Sequence, residues 1–127
     1  MEKSVIRTEN APAPFQGAPY NQAIQVGDLV FVAGQLGLKP GDTAVEGDVA
    51  VQTEQALRNL AAILEAAGSS LENLVKTSVF LQDLGDFQAM NEVYARHVGD
   101  RPPARSTFQV AKLPSGALVE IEAVAHT

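Results

Sequence analysis

Cysteine is absent from the 127 residues of this chain. That removes a disulfide framework, a thiolate nucleophile and a thiolate metal site together. Histidine is nearly absent, with only His97 and His126. The first falls at the end of a predicted helix, where carbonyls and the negative helix terminus supply its surroundings. The second belongs to the C-terminal tail. Two such histidines argue against a metal cluster and against a Ser-His-Asp triad. Basic residues are also few: nine Lys and Arg stand against fifteen Asp and Glu, for a net charge of −6 and no basic run. Phosphate-backbone binding needs a basic patch, so a nucleic-acid partner is not favoured. No apolar stretch approaches the roughly 18–20 residues of a membrane helix. The opening MEKSVIRTEN has no apolar signal core, and neither a P-loop nor a dinucleotide glycine motif occurs. With no repeats or linkers, these absences leave the expectation of one cytoplasmic domain over residues 1–127, with no membrane association. Hydrophobic residues make up 46% of the chain, enough for a core.

Pattern along the chain predicts the elements. Residues 8–20, TENAPAPFQGAPY, are a proline-rich ordered loop. Ala23 to Val26 and Leu29 to Gly34 are short strands joined by Gly27-Asp28, a two-residue hairpin turn. The run LVFVA is apolar without alternation, which suits a strand covered on both faces. Turn residues fill 39–48. A helix follows, with Asp48 as N-cap and Gly68 just past its end. Val49, Thr53, Ala56, Leu57, Leu60, Ile63, Leu64 and Ala67 form its inward stripe. Leu74 to Leu81 is a strand, and a second helix runs from about Asp86 to Val98. Strands at Thr107 to Val110 and Leu118 to Ala125 flank the turn at Pro114-Ser115-Gly116. Two helices with five or six strands suit an α+β fold with both helices on one sheet face. The other face is then left for a second subunit.

Five places carry candidate chemistry. In PPARSTFQV, two rigid prolines stand one residue before Arg105 and hold it in a defined place, as an ion-pair partner or an anion receptor. In VEIEAVA, alternation puts Glu120 and Glu122 on one face and Val119, Ile121 and Ala123 on the other. A solvated strand face is the commoner meaning of such a pattern. The alternative is a cleft carboxylate that handles protons, its pKa raised by its like-charged neighbour. Asn91 shares the apolar side of the second helix with Phe87, Tyr94 and Val98, so its amide points inward and needs partners. Tyr20 follows Pro19 as a packed ring with a polar tip. Ala33-Gly34 marks a strand end where a ligand or another backbone comes close.

Taken together these segments resemble the RidA (YjgF) family of imine deaminases, also described as the endoribonuclease L-PSP family. The resemblance rests on PARSTFQVAKLPSGALVEIEAVA at 103–125, with TENAP, PYNQA, AGQL, AAILEAAG, VKTSVFLQDL and DFQAMNEVYA in order before it. It implies a chorismate-mutase-like α+β domain with a mixed sheet of about six strands, assembled as homotrimers with a cleft between each pair of subunits. It also implies hydrolysis of 2-imino acids to 2-oxo acids and ammonia. Arg105 would then bind the substrate carboxylate and Glu120 would activate water. Tyr20, Ala33, Gly34 and Asn91 would line the cleft, and no metal or organic cofactor would be needed. Three departures bear on substrate preference: Ala33 stands where several members have serine, Thr107 where some have cysteine, and GAPY replaces GPY.

One geometric problem follows from the predicted strands. A tight hairpin at 114–116 would pair Arg105 near residue 126, leaving Glu120 roughly 20 Å away along the strand. Either the last two strands are not neighbours, or Arg105 and Glu120 meet across a subunit interface. Two other functions compete with imine hydrolysis. One is RNA cleavage, and the other is non-catalytic binding of a 2-oxo acid.

Overall fold

The computed structural model describes residues 1–127. Eight elements follow in order: β1 (Lys3–Ile6), β2 (Ala23–Val26), β3 (Leu29–Leu36), α1 (Val49–Ala66), β4 (Leu74–Leu81), α2 (Phe87–Val98), β5 (Ala104–Gln109) and β6 (Val119–His126). The strands form one mixed sheet in the order β1-β2-β3-β6-β4-β5. The α+β architecture expected from the sequence is the one found.

Local signals account for the helices. The Asp48 carboxylate accepts a hydrogen bond from the Val51 N–H at 3.0 Å, satisfying one orphan donor of α1's first turn. Gly68 ends the same helix with φ +77°, a conformation that strains any residue with a Cβ. Val49, Ala56, Leu57, Leu60, Ile63 and Leu64 make its buried face. They join a core with Val30, Val32, Val79, Leu81, Val119 and Ile121 of the sheet. Helix α2 connects β4 to β5, which pair in parallel and so require a crossover.

Several features differ from what the sequence pattern predicts. Strand β1 was not anticipated. It is four residues long, almost wholly exposed, and exists by pairing with β2. Strand β5 starts at Ala104, so Arg105 lies inside it rather than at its mouth. Its extent is set by the ladder with β4, and Pro102 and Pro103 offer no N–H to extend that ladder further back. The loop over residues 8–20 holds a single 3₁₀ turn at Phe15–Gly17.

The sheet's second face carries no helix. Val5, Phe31 and Phe108 lie on it at 48%, 43% and 55% exposure. The run LVFVA is therefore buried on one side, at Val30 and Val32, while Leu29 and Phe31 are uncovered on the other.

Candidate functional site

Arg105 projects from edge strand β5 toward α2. Its guanidinium carbon lies 4.7 Å from the Tyr94 ring centre and 5.6 Å from that of Phe87. The Met90 sulfur sits 4.0 Å from Nη1. Ring faces attract a cation through their quadrupole without using its N–H groups. The chain's two salt bridges both converge on Glu54, from Arg58 and His97, so Arg105 has no acidic partner. Beside this platform on α2, the Asn91 side-chain oxygen is buried and accepts no hydrogen bond. The guanidinium fork carries no carboxylate and is suited to a small carboxylate anion, while the buried Asn91 oxygen can accept only from an N–H or O–H donor. The inward direction expected for Asn91 is the one found.

Glu120 stands on the opposite, helix-free face, as the alternation in VEIEAVA predicts. Val32 pairs with Ala123 and Gln35 with Ile121, so Ala33 and Gly34 together oppose the single residue Glu122. This is a β-bulge, a device that re-aims side chains at functional edges. A Cβ on Gly34 would lie 2.8 Å from Glu120 Cδ, so glycine here makes room for the carboxyl rather than marking a strand end. Burial raises the Glu120 pKa above the ordinary carboxylate value, and the neighbouring Glu122 raises it further. Ala33 is tied on both sides of its peptide: its N–H donates to Gln22 O at 2.9 Å and its carbonyl accepts from Gln35 Nε2 at 3.1 Å. Tyr20 lines a narrow cleft with Gly34, Leu36 and the 12–15 loop, its hydroxyl accepting from the Phe15 N–H at 2.6 Å.

The predicted residues thus form two groups: Arg105 with Asn91, and Glu120 with Gly34, Ala33 and Tyr20. Within one chain the groups do not meet. Arg105 pairs with Thr77, which pairs with Ala123, on the helix side. Glu120 pairs with Phe80 on the other side. Strand β4 lies between β5 and β6, which removes the tight hairpin. Two strand spacings and three residues of strand already separate the pair by about 14 Å, before the sheet itself is crossed.

Several supporting residues were not singled out from the sequence. Gln22, only 4% exposed, accepts from the Thr8 N–H and donates to the carbonyls of Thr8, Ala11 and Pro12, holding the loop beside Tyr20. Asn59 donates to Leu36 O and Leu38 O at 3.1 and 2.8 Å, while Gln52 accepts from the Leu118 N–H at 2.9 Å. These amides tie α1 to the strand ends that carry Gly34 and Glu120. Gln52 and Asn59, seven residues apart, share a helix face that borders the apolar stripe. The reasoning applied to Asn91 would have found them. A cavity of about 420 Å³ beside α1, bordered by Lys39, Glu54, Arg58 and Arg96, contains none of the predicted residues.

Comparison with known proteins shows the family and the fold. The family model described as Endoribonuclease L-PSP matches residues 8–127. A RutC family protein of Pyrococcus horikoshii is 50% identical over 98% of each chain. A Mus musculus protein named 2-iminobutanoate/2-iminopropanoate deaminase is 46% identical, over 97% of this chain and 90% of its own length. The crystal structure of RidA from an Antarctic Psychrobacter superposes with a TM-score of 0.93 at 42% identity, covering 98% of this chain and 99% of that one.

Proposed function

Since the chain belongs to the endoribonuclease L-PSP family, the RidA (YjgF) proteins, we propose that it hydrolyses 2-imino acids such as 2-iminopropanoate and 2-iminobutanoate to 2-oxo acids and ammonia. The observation that carries this reading is Arg105, a guanidinium held on aromatic rings with no acidic partner. Such a fork takes a carboxylate bidentately, which a lysine could not reproduce.

Anchoring the carboxylate fixes the adjacent imine carbon against a water, and such orientation is a large source of rate. Glu120 takes a proton as that water adds to the carbon of the protonated imine, giving a neutral carbinolamine. It returns this proton to the nitrogen and takes up the hydroxyl proton as the C–N bond breaks, leaving the ketone and ammonia, which carries the last proton away. A carboxyl pKa raised by burial suits a group that must both accept and give back a proton near neutrality. Because Arg105 and Glu120 of one chain face opposite sides of the sheet, each cleft takes its arginine from one copy and its glutamate from another. The uncovered face with Phe31 and Phe108 is the surface such an assembly, a homotrimer, would bury.

The test generates 2-iminopropanoate in situ and follows its decay to pyruvate. The protein accelerates decay. Glu120→Gln abolishes the acceleration while keeping 2-oxo acid binding, and Arg105→Ala loses both. No acceleration over spontaneous hydrolysis, across several imino acids, defeats the assignment. A protein that only binds 2-oxo acids would show no turnover in any form. The family's description also carries a ribonuclease name; a net charge of −6 argues against tight RNA binding. RNA cleavage that survives Arg105→Ala in a nuclease-free preparation would favour that activity instead.

A further inference from the structure

We propose that Thr77 and Tyr94 are positioning residues for Arg105, their buried hydrogen bond presetting the guanidinium to receive a carboxylate. The inference rests on the reading of Arg105 as the substrate anchor.

A long arginine side chain on an edge strand has many rotamers, and fixing one needs a partner. An acidic partner would fix it but would occupy the N–H fork that the substrate must use. Here the restraint comes from the Tyr94 and Phe87 rings, with one N–H reaching the Met90 sulfur, and no carboxylate occupies the fork. The nearest ring is Tyr94, at 4.7 Å. Tyr94 Oη and Thr77 Oγ1 lie 2.6 Å apart, and the two residues are only 5% and 1% exposed. Thr77 is also the cross-strand neighbour of Arg105 in the parallel β4–β5 ladder. One backbone pairing and one side-chain hydrogen bond therefore close a triangle: Thr77 beside Arg105, Tyr94 reaching from α2 to both. Threonine is stiff at χ1, so it points its hydroxyl in a fixed direction. Burial pushes the Tyr94 hydroxyl pKa up, which keeps it a neutral phenol rather than a counter-ion that would compete for the fork.

The difficulty in testing such a pair is that Tyr94→Phe alone leaves a buried threonine hydroxyl without a partner and lowers stability for that reason. The double variant Thr77→Val/Tyr94→Phe removes both partners with nearly the same shape and keeps an aromatic ring under Arg105. Thermal melts should place it near the parent, since removing both partners of a buried hydrogen bond is close to neutral. We measure the inhibition constant of 2-oxobutanoate together with kcat and KM for imine hydrolysis. With the preset lost, inhibition constant and KM rise together by roughly five-fold while kcat changes less. Thr77→Ser, which keeps the hydroxyl, restores parental values. A stable double variant with parental inhibition constant and KM overturns the proposal, because the hydrogen bond would then serve folding alone. Should the double variant not fold, Tyr94→Phe measured well below its melting temperature decides on the same constants. Arg105→Ala is run in parallel. If it binds 2-oxobutanoate like the parent, the anchor itself is wrong and this proposal falls with it. If Arg105→Ala fails to bind while the double variant is normal, only the positioning role is lost.

Discussion

Glu120 carries a carboxyl whose ionisation the folded chain resists, through burial first and the charge of Glu122 second. The sign of the stability effect follows from proton uptake. Between the unfolded and the raised folded pKa the native state binds more protons, so stability falls as pH rises through that interval. Glu120→Gln removes the penalty. Its melting temperature should exceed the parent's at neutral pH, with the gap closing below the ordinary carboxylate range, even as turnover is lost. A variant that melts lower than the parent at pH 7 would contradict this account. Gly34 makes a second demand at the same point. Gly34→Ala sets a Cβ 2.8 Å from Glu120 Cδ, and the carboxyl must move aside. Misplacement on the scale of 1 Å predicts a kcat loss of roughly ten- to a hundred-fold, with 2-oxo acid affinity kept because Arg105 is untouched. Steady-state kinetics beside a binding titration separates the two effects.

Helices α1 and α2 are tied to one another at Glu54. Its carboxylate lies 2.8 Å from Arg58 Nε on the same helix and 2.8 Å from His97 Nε2 on the other. An ionised carboxylate only accepts, so the imidazole N–H is the donor. These two partners, His97 first, hold the Glu54 pKa below the ordinary value. A depressed carboxylate adds stability above its unfolded pKa and loses it as pH falls through its folded one. In acid titrations followed by melting temperature, the parent should therefore lose stability over a pH range where Glu54→Gln stays flatter. At neutral pH the variant should be weaker by less than about 1 kcal/mol, as solvent screens the pair. Equal acid slopes for the two proteins would remove Glu54 as a cause. Both helices were legible from their stripes, their ends and Asp48, signals carried by residues within a few positions of one another. Local pattern puts His97 at a helix end, but its partner lies 43 positions away and leaves no mark near it. Strand β1 escaped for the same reason, since KSVI is a strand only because β2 lies beside it.

For the whole molecule the decisive fact is that Arg105 and Glu120 point to opposite sides of one sheet. Two inactive proteins should then repair each other. When Arg105→Ala and Glu120→Gln chains are unfolded together and reassembled one to one, about a quarter of the clefts acquire both intact residues by random mixing. Activity near that fraction of the parent's is expected, and none if each cleft drew both residues from a single chain. Both helices, most of the strands, the inward and outward sides of β6 and the inward direction of Asn91 were readable in the chain. Periodicity, caps and residue chemistry are local properties and survive without a fold. Placing β4 between β5 and β6, seating the Glu120 carboxyl over Gly34 and bringing Thr77 and Tyr94 under Arg105 were not readable. Each depends on partners that only long-range strand pairing and helix packing bring together, and no local pattern encodes which partners those are.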